Sequence, residues 1–267
     1  MGHVGVRPAD VTMTAPRFLV ATEALSGDST VLTGPELHHL RAHRLRVGSE
    51  LMLANGQGKQ RRGILVALER HQAVIRLTND PPPQRESPLR LILAQALLKA
   101  DKLDVVIEKA TELGVTEVVV FSSERSTRHP SSERQSRWKR VAQSAAKQSQ
   151  RSSVPRIIGP LTFDQLLTQD TEARRLFFWE ECSASAWSSD GTTCAGVLAA
   201  VGPEGGFSAA EAQRAADAGM QLRGLAPRIL RAETAALVAV TLCQFVWGDL
   251  AAHPHPSSSP PAAADTV

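Results

Sequence analysis

The sequence predicts an α/β protein in two domains, a small β-rich domain followed by a larger one with a largely parallel sheet. Three observations predict it. Short apolar strands separated by turn dipeptides fill residues 17–80, Pro81-Pro82-Pro83 then interrupts the pattern, and from Leu89 onward strands alternate with helices. The chain has 267 residues, 42% of them hydrophobic, enough for two modest cores.

Residues 1–16 show no periodicity and read as a flexible arm, with Met13 as an alternative start. Arg17–Val20, Leu51–Ala54, Gly63–Val66 and Ala73–Leu77 read as strands, with a turn at Asn55-Gly56 and one helix over Pro35–Leu45. Together they suggest a small barrel spanning residues 17–82. Three consecutive prolines cannot join a sheet interior and mark a linker. In the second domain, residues 88–250, Leu89–Ala94 is a buried strand. Lys102–Leu113 is an amphipathic helix with Leu103, Val106, Ile107, Ala110 and Leu113 on one face, and Gly114 ends it. Glu117–Phe121 is the next strand and Glu133–Gln150 a basic helix, in which Trp138 is either core or a stacking platform for a base, more often the former. Leu176–Trp179 and Val197–Val201 are further strands. The tail, residues 253–267, is Pro, Ser and Ala and reads as disordered.

Composition removes several function classes. No apolar run approaches the roughly 20 residues that span a bilayer, and the N-terminus lacks a signal-peptide profile, so a cytoplasmic protein without membrane contact is expected. Cys182, Cys194 and Cys243 form no CxxC pair and suggest neither disulfides nor zinc. His39 and His43 have the spacing of a metal-ligating pair, but no third ligand is evident, and no metal is expected. The net charge of +3 conceals an asymmetry: residues 122–156 carry nine Lys and Arg against two Asp and Glu, whereas residues 157–267 carry six against twelve. A basic belt beside an acidic half is the footprint of a polyanion-binding face.

The chemistry concentrates in two segments. Val201-Gly202-Pro203-Glu204-Gly205-Gly206-Phe207 follows a strand and leads into Ser208-Ala209-Ala210-Glu211, a capping box that opens a helix. Glycines there let backbone N–H groups approach a ligand, at the strand end where open α/β sheets bind them. The spacing is neither GxGxxG nor a P-loop, so a purely structural turn is an equal reading. The second segment is Leu225-Ala226-Pro227-Arg228-Ile229-Leu230-Arg231-Ala232-Glu233-Thr234-Ala235, which enters a long apolar helix to about Trp247. Helix capping accounts for Glu233 and Thr234. It does not account for two arginines at a helix N-terminus, where cations are disfavoured, and these point to an anionic ligand.

These two segments, with Gln95-Ala96-Leu97-Leu98-Lys99, Lys109-Ala110-Thr111-Glu112-Leu113-Gly114-Val115, Ser123-Glu124-Arg125-Ser126 and Gln148-Ser149-Gln150-Arg151, resemble the bacterial RsmE family in order and spacing from about Arg17 to Leu250. The resemblance implies a SPOUT-type trefoil-knotted methyltransferase domain preceded by a PUA-like RNA-binding barrel. It also implies methylation of N3 of a uridine in 16S ribosomal RNA, with free rRNA or the small ribosomal subunit as partner, and a homodimer whose active site is completed across the interface. S-adenosyl-L-methionine is the implied cofactor, with Val201, Gly202, Pro203, Glu204, Gly205, Gly206, Leu225, Ala226, Arg228, Ile229 and Leu230 around it. Four positions depart from the family pattern: Ala226 replaces Gly and narrows the expected loop, Ala232 replaces Thr, Lys147 replaces a common Glu and adds to the basic belt, and Ala42-His43 replaces an apolar pair.

For catalysis the candidates are Arg231, whose charge would favour an anionic uracil, and Glu233, which reads either as general base or, more readily, as a helix-start acid. Solvent hydroxide or an RNA group are the other sources of a base. Arg17, Arg125, Arg137, Lys139, Arg140 and Arg151 are the candidate RNA contacts, chiefly to phosphate. Two rival functions are a SPOUT enzyme acting on another base or RNA, and an RNA-binding protein without catalysis.

Overall fold

The computed structural model describes residues 15–79, 86–99, 101–126, 131–169, 173–183 and 194–250. The triple proline, the tail and nearly all of the N-terminal arm lie outside the described residues. The chain divides into two compact units, Met1–Arg85 with Ala146–Ser153, and Glu86–Ala145 with Val154–Val267.

In the first unit, β1 (Arg17–Leu19), β2 (Ser29–Leu32), β3 (Glu50–Ala54), β4 (Gln60–Leu68) and β5 (Ala73–Leu77) make one sheet in the order β1-β3-β4-β5-β2. β1 runs parallel to β3, and the remaining pairs are antiparallel. Side chains alternate along each strand, so β5 buries Ala73, Ile75 and Leu77 and exposes Arg76. Phe18 from one edge strand and Leu32 from the other meet in a single apolar cluster with Leu53, Leu65 and Ile75. A sheet whose two edges share one core must curl around it, as a small barrel does. Helix α1 (Gly34–Ala42) buries Leu37 and Leu40 and ends before the expected Leu45, with Arg44 at a φ of 55° just beyond it. Strand β2 was not expected, because only one of its four side chains is buried.

In the second unit, β6 (Arg90–Ala96), β7 (Glu117–Ser122), β8 (Arg156–Thr162), β9 (Arg174–Phe178), β10 (Gly196–Val201) and β11 (Gln221–Arg223) form an all-parallel sheet ordered β11-β9-β10-β6-β7-β8. The helices are α2 (Lys102–Glu112), α3 (Ser132–Gln148), α4 (Phe163–Leu167), α5 (Ala209–Asp217) and α6 (Ala232–Trp247). Two cores cover the two faces. Val197, Ala199 and Val201 of β10 join a cluster with Val106, Trp138 and Val240, whereas Leu198 and Ala200 join another with Phe121, Phe177 and Phe207. Burial on both faces is why β10 reads as an unbroken apolar run. Trp138 is 1% exposed and belongs to the core, so its ring is not offered to a base.

Two polar residues lock this unit. Gln244 of α6 is fully buried; its amide donates to the Leu113 carbonyl at 2.9 Å and its oxygen accepts from Ser87 at 2.7 Å. Glu117 accepts from Arg90 and Arg156 at 2.8 Å each, joining β6, β7 and β8. Burial raises its pKa, but the two guanidinium groups outweigh burial and hold the carboxyl below its ordinary value.

Candidate active site at the carboxyl end of the sheet

β10 lies between β9 and β6, and the loop that leaves its carboxyl end meets the segment entering α6. There all eleven residues expected around a cofactor, Val201–Gly206, Leu225, Ala226 and Arg228–Leu230, line one cavity of about 330 Å³. That volume is in the range of small-molecule sites. Phe178, Trp179 and Glu180 beyond β9 complete one side, and Ala232 and Ala235 of α6 another.

The glycine loop is fixed from several directions. Phe207 is 2% exposed, and its ring centroid lies 4.1 Å from that of Phe177, which anchors the loop in the core. Gln95 at the end of β6 is fully buried, and its amide donates to the carbonyls of Gly202 at 3.0 Å and Val201 at 3.4 Å. Arg125 donates to the Gly205 carbonyl at 2.9 Å. The expected capping box is present, with Glu211 accepting from the Ser208 N–H at 3.0 Å, and the same carboxylate accepts from the Glu124 N–H at 2.9 Å, which carries Arg125 to the loop. Gly206 has a φ of 66°, and a Cβ there would overlap the Glu180 carboxylate. Only glycine meets both conditions, so at this point the backbone itself lines the cavity.

Glu204 and Glu233 are joined by a residue that carries no sequence motif. Lys102, in the first turn of α2, lies 3.3 Å from a Glu204 oxygen and 3.4 Å from a Glu233 oxygen. Glu204 also accepts from the Lys99 N–H at 3.1 Å. Burial pushes the Glu204 pKa up, but these N–H donors, its own N–H and the Lys102 ammonium hold it below the carboxylate range. For Lys102 the sequence offers no more than a place at the start of an amphipathic helix; that this helix packs on α6, which carries Glu233, is seen only in the structure. Arg231 is the exposed N-cap residue of α6 and makes no side-chain cap. Its neighbours Leu230 and Ala232 both line the cavity, although Arg231 itself does not.

The candidate RNA contacts divide. Arg125, Arg137, Lys139 and Arg140 are exposed, although Arg137 also pairs with Asp104 at 2.6 Å. Arg17 and Arg151, the other two candidates, are instead buried at 5% and 3% exposure, and Arg17 donates to Gln60 at 2.8 Å and to the Arg151 carbonyl at 2.9 Å. Both are structural members of the first unit. Lys147 pairs with Glu36 at 2.5 Å and is not a free cation of the belt. Burial raises the Cys243 thiol to about 12, which marks an inert core residue. Among the described residues no group of three or more His, Cys, Asp or Glu side chains is placed to hold a metal ion.

Known proteins resemble the chain over both units. Residues 85–244 match the model of an RNA methyltransferase domain and residues 32–78 that of an RNA methyltransferase PUA domain. The ribosomal RNA small subunit methyltransferase E of Bacillus subtilis is 32% identical over 80% of this chain and 89% of its own length, and that of Synechocystis is 34% identical over 85% and 76%. The crystal structure of the Neisseria gonorrhoeae enzyme of the same name, bound to S-adenosyl methionine, superposes with a TM-score of 0.78 at 32% identity, covering 88% of this chain and 99% of that one. A Legionella pneumophila methyltransferase in complex with the same cofactor gives a TM-score of 0.78 at 28% identity over 88% and 99%. With both family models matched in order and relatives aligned along most of their length, the chain belongs to the ribosomal RNA small subunit methyltransferase E family.

Proposed function

We propose that the chain is an S-adenosyl-L-methionine-dependent methyltransferase acting on N3 of a uridine in 16S ribosomal RNA. The observation that carries this is the single cavity enclosed by Val201–Gly206 and Leu225–Leu230. Its glycine wall is a backbone surface already braced by Gln95, Arg125 and Phe207, which suits a nucleoside held by N–H and C=O groups. S-adenosyl-L-methionine in this cavity supplies a methyl group on a positively charged sulfur. The protein's part is to fix the donor, bring N3 in line and favour its anionic form.

Arg231 is the group that favours the anion, a reading supported by its place between two cavity-lining residues, exposed and uncommitted to capping. Glu233 is engaged by Lys102, which favours a positioning role for it over proton removal. The N3 proton then passes to solvent or to an RNA group. Arg125, Arg137, Lys139 and Arg140 provide phosphate contacts. The homodimer of this reading is supported by large apolar side chains left exposed in the second unit, Phe245 at 54% and Val105 at 45%. The knotted path is supported by Gly224, where a Cβ would overlap the carbonyls of Cys182 and Ser183, so that two loops pass backbone against backbone. A cytoplasmic site of action follows from the substrate.

The test is mass analysis of 16S rRNA from a strain lacking the gene, with the purified chain added back to its small subunits. Loss of N3-methyluridine and its restoration only with S-adenosyl-L-methionine are expected. Persistence of the mark, or methylation of a different base, would overturn the reading.

A further inference from the structure

The cavity contains one carboxylate that the fold does not use. Glu180 lines it two residues beyond the end of β9, is exposed, and forms no hydrogen bond or ion pair among the described residues. Its Oε1 lies directly against Gly206, in the space a Cβ would need. The cavity's other carboxylate, Glu204, is by contrast taken up by the Lys99 N–H and Lys102.

The position of Glu180 indicates what it meets. β9 and β10 are parallel neighbours with Phe178 opposite Val201, so Glu180 and the glycine loop leave the sheet at the same end, roughly 4.8 Å apart in the strand-to-strand direction. In dinucleotide-binding Rossmann sheets, a glycine-rich loop beyond one strand takes the pyrophosphate and an acid about 20 residues on takes a ribose hydroxyl. Glu180 stands in a comparable place relative to this glycine loop, beyond the neighbouring strand of a parallel sheet. An ionised carboxylate offers two acceptor oxygens and no donor, which matches two adjacent hydroxyl groups. We propose that Glu180 is the ribose-recognition residue of this cavity, accepting hydrogen bonds from the 2′- and 3′-hydroxyls of the bound nucleoside. The inference rests on the cavity being the S-adenosyl-L-methionine site.

Calorimetric titration of the full chain, Glu180→Ala and Glu180→Gln tests it. The probes are S-adenosyl-L-methionine, S-adenosyl-L-homocysteine and the 2′-deoxy analogue of the latter. The lost hydrogen bonds to a charged acceptor weaken the first two ligands by the same factor in Glu180→Ala, on the order of 10- to 100-fold, and by less in Glu180→Gln. The 2′-deoxy analogue binds the wild type more weakly and loses less on substitution. Melting of the unliganded variants stays within about 2 °C of wild type, since Glu180 is bonded to nothing else among the described residues and surface changes of this kind cost little. Unchanged affinities in both variants would overturn the assignment alone, as would a loss for S-adenosyl-L-methionine much larger than for S-adenosyl-L-homocysteine, which would place the carboxylate at the sulfonium. Failure of the wild-type chain to bind either ligand would overturn the parent reading and the assignment with it.

Discussion

Replacing Gln95 with Met should loosen the glycine loop while leaving the core filled. The two side chains are close in volume, so the packing term is small. What is lost is the amide that donates to the buried Gly202 carbonyl at 3.0 Å, to the Ala96 carbonyl at 3.1 Å and more weakly to Val201 at 3.4 Å. A buried carbonyl stripped of its donor costs about 1–3 kcal/mol. Part of that is offset, because the Gln95 oxygen is itself buried without a partner and Met removes it. The net destabilisation is about 1–2 kcal/mol, or roughly 2–8 °C in melting temperature for a domain of this size. Because Gly202 lines the cavity, the dissociation constant for S-adenosyl-L-methionine should rise by up to about 5- to 30-fold, the equivalent of the same energy. Scanning fluorimetry and calorimetry on the purified chain measure both quantities. A melting shift under about 1 °C together with an unchanged dissociation constant would refute the claim that Gln95 braces the loop.

Three further outcomes follow from the same geometry. Arg231→Ala should slow single-turnover methyl transfer by about 100-fold or more while changing cofactor affinity less than about twofold, and Glu233→Gln should slow it by less than about tenfold, since a general base contributes more than that; single-turnover kinetics with saturating cofactor tests both. Glu117 has a folded-state pKa below its ordinary value, so its contribution to stability is present at neutral pH and is lost as pH falls through the folded-state pKa. The melting-temperature gap between wild type and Glu117→Gln should therefore close below about pH 4, and a gap independent of pH would refute the role given to Arg90 and Arg156. Lys139→Glu with Arg140→Glu should weaken RNA binding and flatten its salt dependence, by about 1 in slope for each phosphate no longer neutralised, whereas Arg17→Met should act on melting and leave that slope unchanged.

What could be read in advance was whatever repeats locally. The period of two in β5, the helical spacing in α2 and the Ser208–Glu211 box each lie within a few consecutive residues, and each is found where the spacing puts it. β8 escaped because Gly159-Pro160 interrupts its pattern and most of its side chains are only half-buried at the sheet edge; β11 escaped because three residues carry no period. The burial of Arg17 and Arg151 was hidden for a different reason. Their arrangement joins positions 134 residues apart, and charge counted along a chain cannot separate a cation bonded inside a fold from one on its face. Lys102 and Glu180 illustrate the same limit at the cavity. Their partners, Glu204 and Glu233 for one and Gly206 for the other, come from different elements of the second unit.

The two walls of the cavity are built unequally, and this has a mechanistic consequence. The Gly202–Phe207 wall is tied to β6 through Gln95, to α2 through Glu204 and Lys102, to the Ser123–Ser126 turn through Arg125, and to the aromatic core through Phe207. The Leu225–Leu230 wall is anchored at its ends, where Gly224 packs against the Cys182–Ser183 backbone and buried Ala232 opens α6, while between them Arg228 is exposed and Ile229 is 91% exposed. Regions with few buried contacts open at low free energy, and densely tied ones open only near the global cost. Changes in the first wall must therefore act on stability and affinity together, because its shape is part of the folded core. Changes between Ala226 and Ile229 act on affinity with little effect on stability. Ala226, where the family resemblance leads one to expect Gly, lies in the second wall, where its methyl group can alter the fit to the cofactor without disturbing the fold that presents Arg231.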